Sequence, residues 1–319
     1  MNNIVLTIGI PTYNGADHIE QVIESVLSQL TDIDKCSIEI LINDNASDDH
    51  VWKIANAYKK LLPKLFNIYR NDVNVGYDRN VDLIFKRARG VFIWTLADDD
   101  IVSPGAIKKI LSVLNFHPDV NLLFVGGTPN LNSQNEGVIC RDGNMFFKQT
   151  AFRSGGISGN IIAKSAWNAV DVSKYFDTGW VHFGVVIEVA SRSTSYIFSE
   201  ALETEIPGLY KKWAGKGIHL IIGLELVELF KNMVRLGYSA ECIRAARLLI
   251  KGNYYRQICK AKAEGLAINF KSICRFIDAY YMFPSFWVID LPMLLMPRKL
   301  CWLIYRTYIL MKIKPTAEH

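Results

Sequence analysis

Three consecutive carboxylates, Asp98-Asp99-Asp100, follow directly on the apolar stretch Val91-Phe92-Ile93-Trp94-Thr95-Leu96. At the end of a buried strand such neighbours repel one another unless a cation lies among them. Hard oxygen ligands suit Mn2+ or Mg2+, which take one or two carboxylates and complete their shells with substrate phosphates. The bland alternative is a solvated acidic turn capping the next helix. Ser103 already stands at an N-cap position and Pro104 in a first turn, so capping does not require the aspartates.

Asp44 closes a second apolar run and is followed by Asn45-Ala46-Ser47-Asp48-Asp49, a set able to bond a nucleobase edge or ribose while starting a helix. Capping alone explains Ser47 to Asp49 but leaves Asp44 for binding. Arg70, Arg79 and Asn80 lie after a third run and at the start of the next helix, where a guanidinium and a helix N-terminus can face a diphosphate. Either arginine taken singly reads as a surface residue. The phosphate cradles GxxxxGK[ST] and GxGxxG do not occur, and Gly155-Gly156-Ile157-Ser158-Gly159 misses the GxSxG elbow and reads as a flexible loop.

Elements that position these groups follow from periodicity. Strands are predicted at Ile4–Ile10, Ile38–Ile42, Phe66–Tyr69, Val91–Leu96 and Val120–Val125. Between them run helices with inward stripes Ile19, Val22, Ile23, Val26, Leu27 and Leu30; Val51, Ile54, Ala55, Tyr58 and Leu61; Val81, Ile84, Phe85 and Ala88; and Ile107, Ile110 and Leu111. The alternation predicts an α/β fold, a mostly parallel sheet with helices on both faces, whose ligand crevice lies beyond the carboxyl ends of the strands. Residues 127–160 read as an irregular acceptor-side loop region. From about Leu220 the pattern is helical, through Leu224, Val227, Val234, Ile243, Leu248 and Ile250, so a first domain over 1–210 and a helical, basic region over 211–319 are expected.

Charge divides the same way. Residues 1–210 hold 18 Lys+Arg against 24 Asp+Glu, whereas 211–319 hold 18 against 7. That tail either meets an anionic partner or is a solvated helical surface. Its last part mixes Phe286, Trp287, Trp302, Tyr305 and Tyr308 with Arg298, Lys299, Arg306, Lys312 and Lys314; Asp290 and three prolines interrupt the stretch before Arg298, so it is too broken to span a bilayer. A helix in the membrane interface and a helix packed on the catalytic domain fit it equally. Six scattered cysteines without CxxC spacing suit reduced thiols, and no signal-peptide pattern opens the chain, so a cytoplasmic protein is expected.

Taken together, Ile10-Pro11-Thr12-Tyr13-Asn14, Asn43-Asp44-Asn45-Ala46-Ser47-Asp48-Asp49, Asn74-Val75-Gly76-Tyr77-Asp78-Arg79-Asn80, Ala88-Arg89-Gly90 and Leu96-Ala97-Asp98-Asp99-Asp100-Ile101-Val102-Ser103-Pro104 resemble glycosyltransferase family 2, of GT-A (Rossmann-like) fold. The resemblance covers roughly residues 4–115. It implies a nucleotide-diphosphate sugar as donor, with the nucleoside on Thr12, Tyr13 and Asp44 and with Arg79 near the nucleotide; Pro11, Asn14, Arg70 and Asp98 complete the expected donor-binding set. It also implies Mn2+ or Mg2+ on the aspartate cluster. Many members carry an aspartate where Ala97 stands, so Asp99 is expected as principal ligand, with Asp98 and Asp100 assisting.

The family reaction is inverting transfer, in which a base deprotonates the acceptor hydroxyl. No glutamate-aspartate pair stands in the matching region, which leaves Asp177 and His182 as candidates. By analogy the acceptor is a saccharide on undecaprenyl pyrophosphate in bacterial O-antigen or other surface-polysaccharide assembly. The protein would then be peripheral at the inner face of the cytoplasmic membrane, touching it through the C-terminal region. The Ala-Asp-Asp-Asp strand end and Trp180-Val181-His182 are similar to deoxysugar transferases such as abequosyltransferases. Nucleic acid is not expected as a partner, since the tail carries no recognised binding motif. A nucleotidyltransferase and a non-catalytic scaffold remain as alternatives from other classes.

Overall fold

The structure is a computed structural model that describes residues 4–30, 37–128, 137–150, 152–206, 218–251, 254–263, 265 and 268–312. The chain divides into two compact units, Met1–Leu209 with Leu236–Cys242, and Tyr210–Arg235 with Ile243–His319.

In the first unit the order is β1 (Leu6–Thr12), α1 (Ile19–Leu27), β2 (Ile38–Asp44), α2 (Val51–Leu61), β3 (Phe66–Arg70), α3 (Tyr77–Arg87), β4 (Phe92–Thr95), β5 (Asp100–Val102), α4 (Ala106–Phe116), β6 (Leu122–Phe124), β7 (Gly137–Cys140), α5 (Gly143–Thr150), β8 (Asn160–Ala163), α6 (Lys164–Asn168), α7 (Val181–Arg192), β9 (Ser195–Phe198) and β10 (Glu203–Glu205). Eight strands form one sheet in the order β3-β2-β1-β4-β8-β6-β9-β7, and only β8 and β7 run against the others. Strands β5 and β10 pair separately.

Alternation along the strands sends side chains to two helical layers. Leu6, Ile8 and Ile10 of β1 and Ile38, Ile40 and Ile42 of β2 share a core with Ile19, Val22, Val26, Val51, Ala55, Ile107 and Ile110. On the opposite face Gly9 lies so near Ile84 of α3 that a Cβ would stand 2.2 Å from its Cγ2. Phe85 stacks there on Trp167 at 3.5 Å between ring centroids. The expected mostly parallel sheet covered on both faces is therefore the observed one.

Several local expectations are corrected. Strand β1 runs to Thr12, with Pro11 beyond its pairing with β4, where a missing N–H breaks no bond on that side. Helix α4 starts after Gly105, whose φ is 80°, and not from Ser103-Pro104; pairing of β5 with β10 draws Ser103 into an extended segment, where its N–H donates to the Leu202 carbonyl. The region 127–160 holds β7, α5 and the start of β8. Residues 129–136 of that loop lie outside the described residues.

The second unit contains α8 (Ile218–Arg235), α9 (Ala240–Lys251), which begins in the first unit, α10 (Tyr254–Ala263), α11 (Phe270–Tyr280), a π-helical turn Phe286–Asp290, α12 (Leu291–Leu295) and α13 (Arg298–Lys312). Its core gathers Leu224, Val227, Ile258, Ala261, Phe276, Tyr280, Phe283, Phe286 and Leu294. Val234 and Leu248 are exposed, not inward. The side chains of Leu220, Ile250, Tyr308 and Lys312, and all of Lys314, fall outside the described residues. Lys262 is buried with its ammonium donating to the Leu294 and Met296 carbonyls at 2.6 and 2.5 Å, closing the C-terminus of α12. Among the described residues no helix is long and apolar enough to cross a membrane.

A buried carboxylate also joins strands of the first unit, near their amino ends. Glu39, fully buried, accepts from Thr7 Oγ1 at 2.7 Å, Asn67 Nδ2 at 2.6 Å, the Arg89 backbone N–H at 2.8 Å and Arg89 Nε at 2.7 Å. Burial alone would raise its carboxyl, but these donors outweigh burial and hold it below the usual value. Its contribution to stability is thus complete above the unfolded carboxyl's range and fades as pH falls through that range and below. Glu39→Ala is expected to cost about 3 kcal/mol in urea unfolding at neutral pH, the scale of breaking a buried charged network. The difference from the parent protein should shrink in acid.

Candidate active site

Parallel strands bring the expected residues to one end of the sheet. Thr12 of β1, Asp44 of β2 and Arg70 of β3 are aligned in register across three adjacent strands. Asp98 and Asp99 follow β4, which pairs with β1 on its other side. Pro11 is buried in the strand, while Tyr13 and Asn14 are exposed just beyond it.

Thr12 donates its hydroxyl to Asp98 Oδ2 at 2.5 Å. The half-buried His18 meets the Asp98 carbonyl through Nδ1. Gly15 is obligatory beside this contact, because a Cβ there would stand 2.4 Å from Asp98 Oδ2 and 2.6 Å from Thr12 Oγ1. Burial pushes the Asp98 carboxyl up to about 6, and Asp99 adds to the rise; Thr12, His18 and the Tyr13 N–H oppose it. A carboxylate so placed gains from a nearby cation, and Mn2+ or Mg2+ takes one or two carboxylates and completes its shell with phosphate oxygens. The residues present therefore fit a hard divalent ion.

Asp100 does not join that pair. It is buried, belongs to β5, and its Oδ2 accepts from Ser158 Oγ at 2.7 Å. Ser158 Oγ also accepts from the Ala97 N–H at 2.8 Å, so the presumed flexible loop is what fixes the aspartate segment. Among the described residues no three His, Cys, Asp or Glu side chains gather as a metal site. The structure thus sets Asp98 and Asp99 apart from Asp100, whose carboxylate is tied to Ser158.

Asp44, expected to hold the nucleoside, also braces the loop beside it. Its carboxylate is buried, accepts from the Ser47 N–H at 2.9 Å and lies 3.2 Å from Arg70 Nε, while Arg70 Nη2 donates to the Ser47 carbonyl at 2.7 Å. Asp44 and Arg70 thus shape the loop that follows β2. Asn14, with φ 56°, clips onto that loop by donating its N–H to Ser47 Oγ and accepting the Asp48 N–H, both at 2.9 Å. Asn80 is buried among asparagines, accepting from Asn43 Nδ2 at 2.5 Å and Asn71 Nδ2 at 3.1 Å, and so faces no diphosphate.

The two candidate bases have unlike surroundings. His182, near the start of α7, is buried; its Nε2 stands 2.9 Å from the Gly155 carbonyl and its Nδ1 3.1 Å from the Tyr77 hydroxyl. A carbonyl only accepts, so Nε2 carries the proton and Nδ1 accepts from Tyr77. Burial lowers the ring to about 4, the Gly155 contact opposing it. His182 is thus neutral with both ring nitrogens engaged, its Nδ1 by the Tyr77 hydroxyl. Asp177 has φ 64° and an exposed carboxylate that takes both arms of Arg79, at 2.5 and 3.0 Å. The Arg79 guanidinium holds that carboxyl below its usual value.

Asp78, given no role from the sequence, is buried at the start of α3 and caps α7 from outside. It accepts the Gly179 N–H at 2.8 Å and the Val181 N–H at 3.1 Å. Asp78, Tyr77, Ser158 and His18 are the residues that sequence reasoning missed. Tyr77 and Asp78 lie inside the Asn74–Asn80 motif, whereas nothing local marks Ser158 or His18 as partners of the aspartates.

Because the His182 ring takes its proton at about 4 when folded and near 6.5 when free, the unfolded chain binds more protons in between. The stabilisation is whole above 6.5 and is lost as pH falls towards 4, by on the order of 3 kcal/mol. His182→Gln keeps a donor for Gly155 without titrating. Its unfolding free energy, subtracted from the parent's at each pH, should trace that loss; a difference constant over the window would show that His182 is not the titrating group.

The family described as Glycosyl transferase family 2 matches residues 7–173. Abequosyltransferase RfbV of Salmonella typhimurium is 23% identical over 205 residues, 58% of this chain and 61% of that protein. An uncharacterized glycosyltransferase of Rickettsia prowazekii, RP339, is 25% identical over 136 residues, 43% of this chain and 40% of its own. The chain thus spans less than two thirds of the length of these curated relatives. Among solved structures, S. aureus TarS 1–349 in complex with UDP-GlcNAc superposes with TM-score 0.60 at 14% identity, over 95% of this chain and 90% of that one. Mannosyltransferase PcManGT from Pyrobaculum calidifontis in complex with GDP-Man and Mn2+ gives 0.54 at 12%, over 95% and 87%. At such identities the structural likeness concerns the fold. The family match covers more than half of the chain and spans β1 to β4 with the Thr12–Asp98 contact between them, and on that ground the chain belongs to glycosyl transferase family 2.

Proposed function

We propose that the chain transfers a glycosyl group from a nucleotide-diphosphate sugar to a saccharide acceptor, with inversion and with the help of Mn2+ or Mg2+. The observation that carries this reading is the half-buried Asp98, whose carboxylate is held by Thr12 beside Asp99, at the strand end where such sheets take ligands. Names of relatives agree with it: RfbV is an abequosyltransferase, and TarS and PcManGT were solved with UDP-GlcNAc and with GDP-Man and Mn2+.

Asp98 and Asp99 would hold the ion, which when bound neutralises the departing diphosphate. Tyr13, exposed beyond β1, offers a face for the nucleobase, and the loop shaped by Asp44, Arg70 and Asn14 forms the adjoining wall. The Tyr77 hydroxyl, oriented by His182, would border the donor. Asp177 takes the proton of the acceptor hydroxyl as that oxygen bonds to the anomeric carbon and the bond to the diphosphate oxygen breaks. Arg79 keeps Asp177 ionised and oriented for that task. The acceptor is assigned to the lipid-pyrophosphate-linked saccharides of bacterial surface-polysaccharide assembly, with the protein on the cytoplasmic side, where such donors occur. The first unit would do the chemistry.

Calorimetric titration with UDP, GDP, CDP and TDP should show one nucleotide binding only with Mn2+ present. Asp98→Asn and Asp99→Asn should each abolish that dependence. Each should also slow metal-dependent release of nucleoside diphosphate from the matching sugar nucleotide by about 10²–10³-fold, the scale of losing one electrostatic contact to developing charge. Binding that ignores both metal and substitutions would remove the basis for a donor site here. Asp177→Asn is expected to lower kcat for transfer at unchanged nucleotide affinity; equal loss in binding would make it a structural residue.

A further inference from the structure

Helix α13 turns a narrow stripe inward, with Cys301 buried and Tyr305 half-buried, and leaves apolar side chains outside. Leu300, Trp302 and Leu303 are each about half exposed. Lys299, Trp302, Leu303 and Arg306 fall at the spacing of a single helical face. The Arg306 guanidinium lies over the Trp302 ring at 5.0 Å. Arg298, Lys299, Trp302 and Leu303 line, with Ala263 of α10, an open hollow of about 630 Å³. Between Leu291 and Ala317 the sequence holds five basic residues and no acidic one.

An exposed apolar strip beside cations limits what can cover it. A second copy seated face to face would set Lys299 and Arg306 against like charges. A bilayer of anionic lipid offers phosphates for the cations and an apolar boundary for the strip at once, with tryptophan suited to the depth between them. We propose that the outward face of α13 docks on an anionic phospholipid surface, with Arg298, Lys299 and Arg306 at headgroup phosphates and Leu300, Trp302 and Leu303 in the interface. The inference rests on the proposed reading only in that a lipid-borne acceptor gives such docking a use; the binding can be measured without it.

The test is sedimentation of the full chain with vesicles of phosphatidylcholine, with and without phosphatidylglycerol, at low and high salt. Binding is expected only with phosphatidylglycerol and is expected to weaken with salt. The pairs Lys299→Glu with Arg306→Glu, and Trp302→Ser with Leu303→Ser, should each weaken it by about tenfold or more. Both pairs should keep the parent's melting temperature and nucleotide binding, which shows that the face and not the fold was altered. The proposal is overturned if the parent stays in the supernatant, if pure phosphatidylcholine binds as well, or if both pairs sediment like the parent. A dimer that both pairs dissociate, without vesicle binding, overturns it in favour of self-association. Absence of nucleotide binding in every protein would count against the donor site alone and leave this result standing.

Discussion

The contact between the Thr12 hydroxyl and the Asp98 carboxylate sets the terms for the rest of the site. It joins the ends of two neighbouring parallel strands, which explains why a glycine must follow Asn14 and why His18 meets the Asp98 backbone. It also leaves a carboxylate whose burial is only partly compensated. A protein keeps such a group at the open end of a sheet at some cost in stability, and on the proposed reading a ligand completes the electrostatics there.

The two ends of the sheet treat polar groups in opposite ways. Near the amino ends Glu39 is saturated by four donors and acts as a rivet. At the carboxyl ends the asparagines Asn43, Asn71 and Asn80 form a buried ladder that supports the loops after β2 and β3. Above that ladder Tyr13, Asn14 and Arg79 retain exposure. Rigid polar packing below and accessible polar groups above is the arrangement of a preorganised binding surface.

The alternation of strands and helices over the first 126 residues was legible because each element there buries a periodic face of its own. The carboxylates at Asp98 and Asp99 were legible because charge directly after a buried strand is costly and so needs a reason. What escaped were features decided by distant pairing. Strand β8 enters antiparallel between β4 and β6, and β7 takes the far edge beside β9; neither has a local signature strong enough to show through a loop-like stretch. Asp100 looks like its two neighbours in sequence, yet it is turned away because β5 pairs with residues about a hundred positions later. His182 drew attention by its type alone, and only burial and the Gly155 carbonyl decide which of its nitrogens carries the proton.

Asp78 has a consequence of another kind. From the first turn of α3 it holds the backbone at Gly179 and Val181, so Tyr77 and Arg79 share one mechanical support with the segment that carries Asp177 and Trp180. On the proposed reading one of these groups faces the donor and the other the acceptor. A joint of this sort makes the two sites thermodynamic partners: whatever ordering one substrate contributes to the joint is returned to the other by the same factor. Order of substrate addition would then be a property written into a single carboxylate remote from the reacting bond.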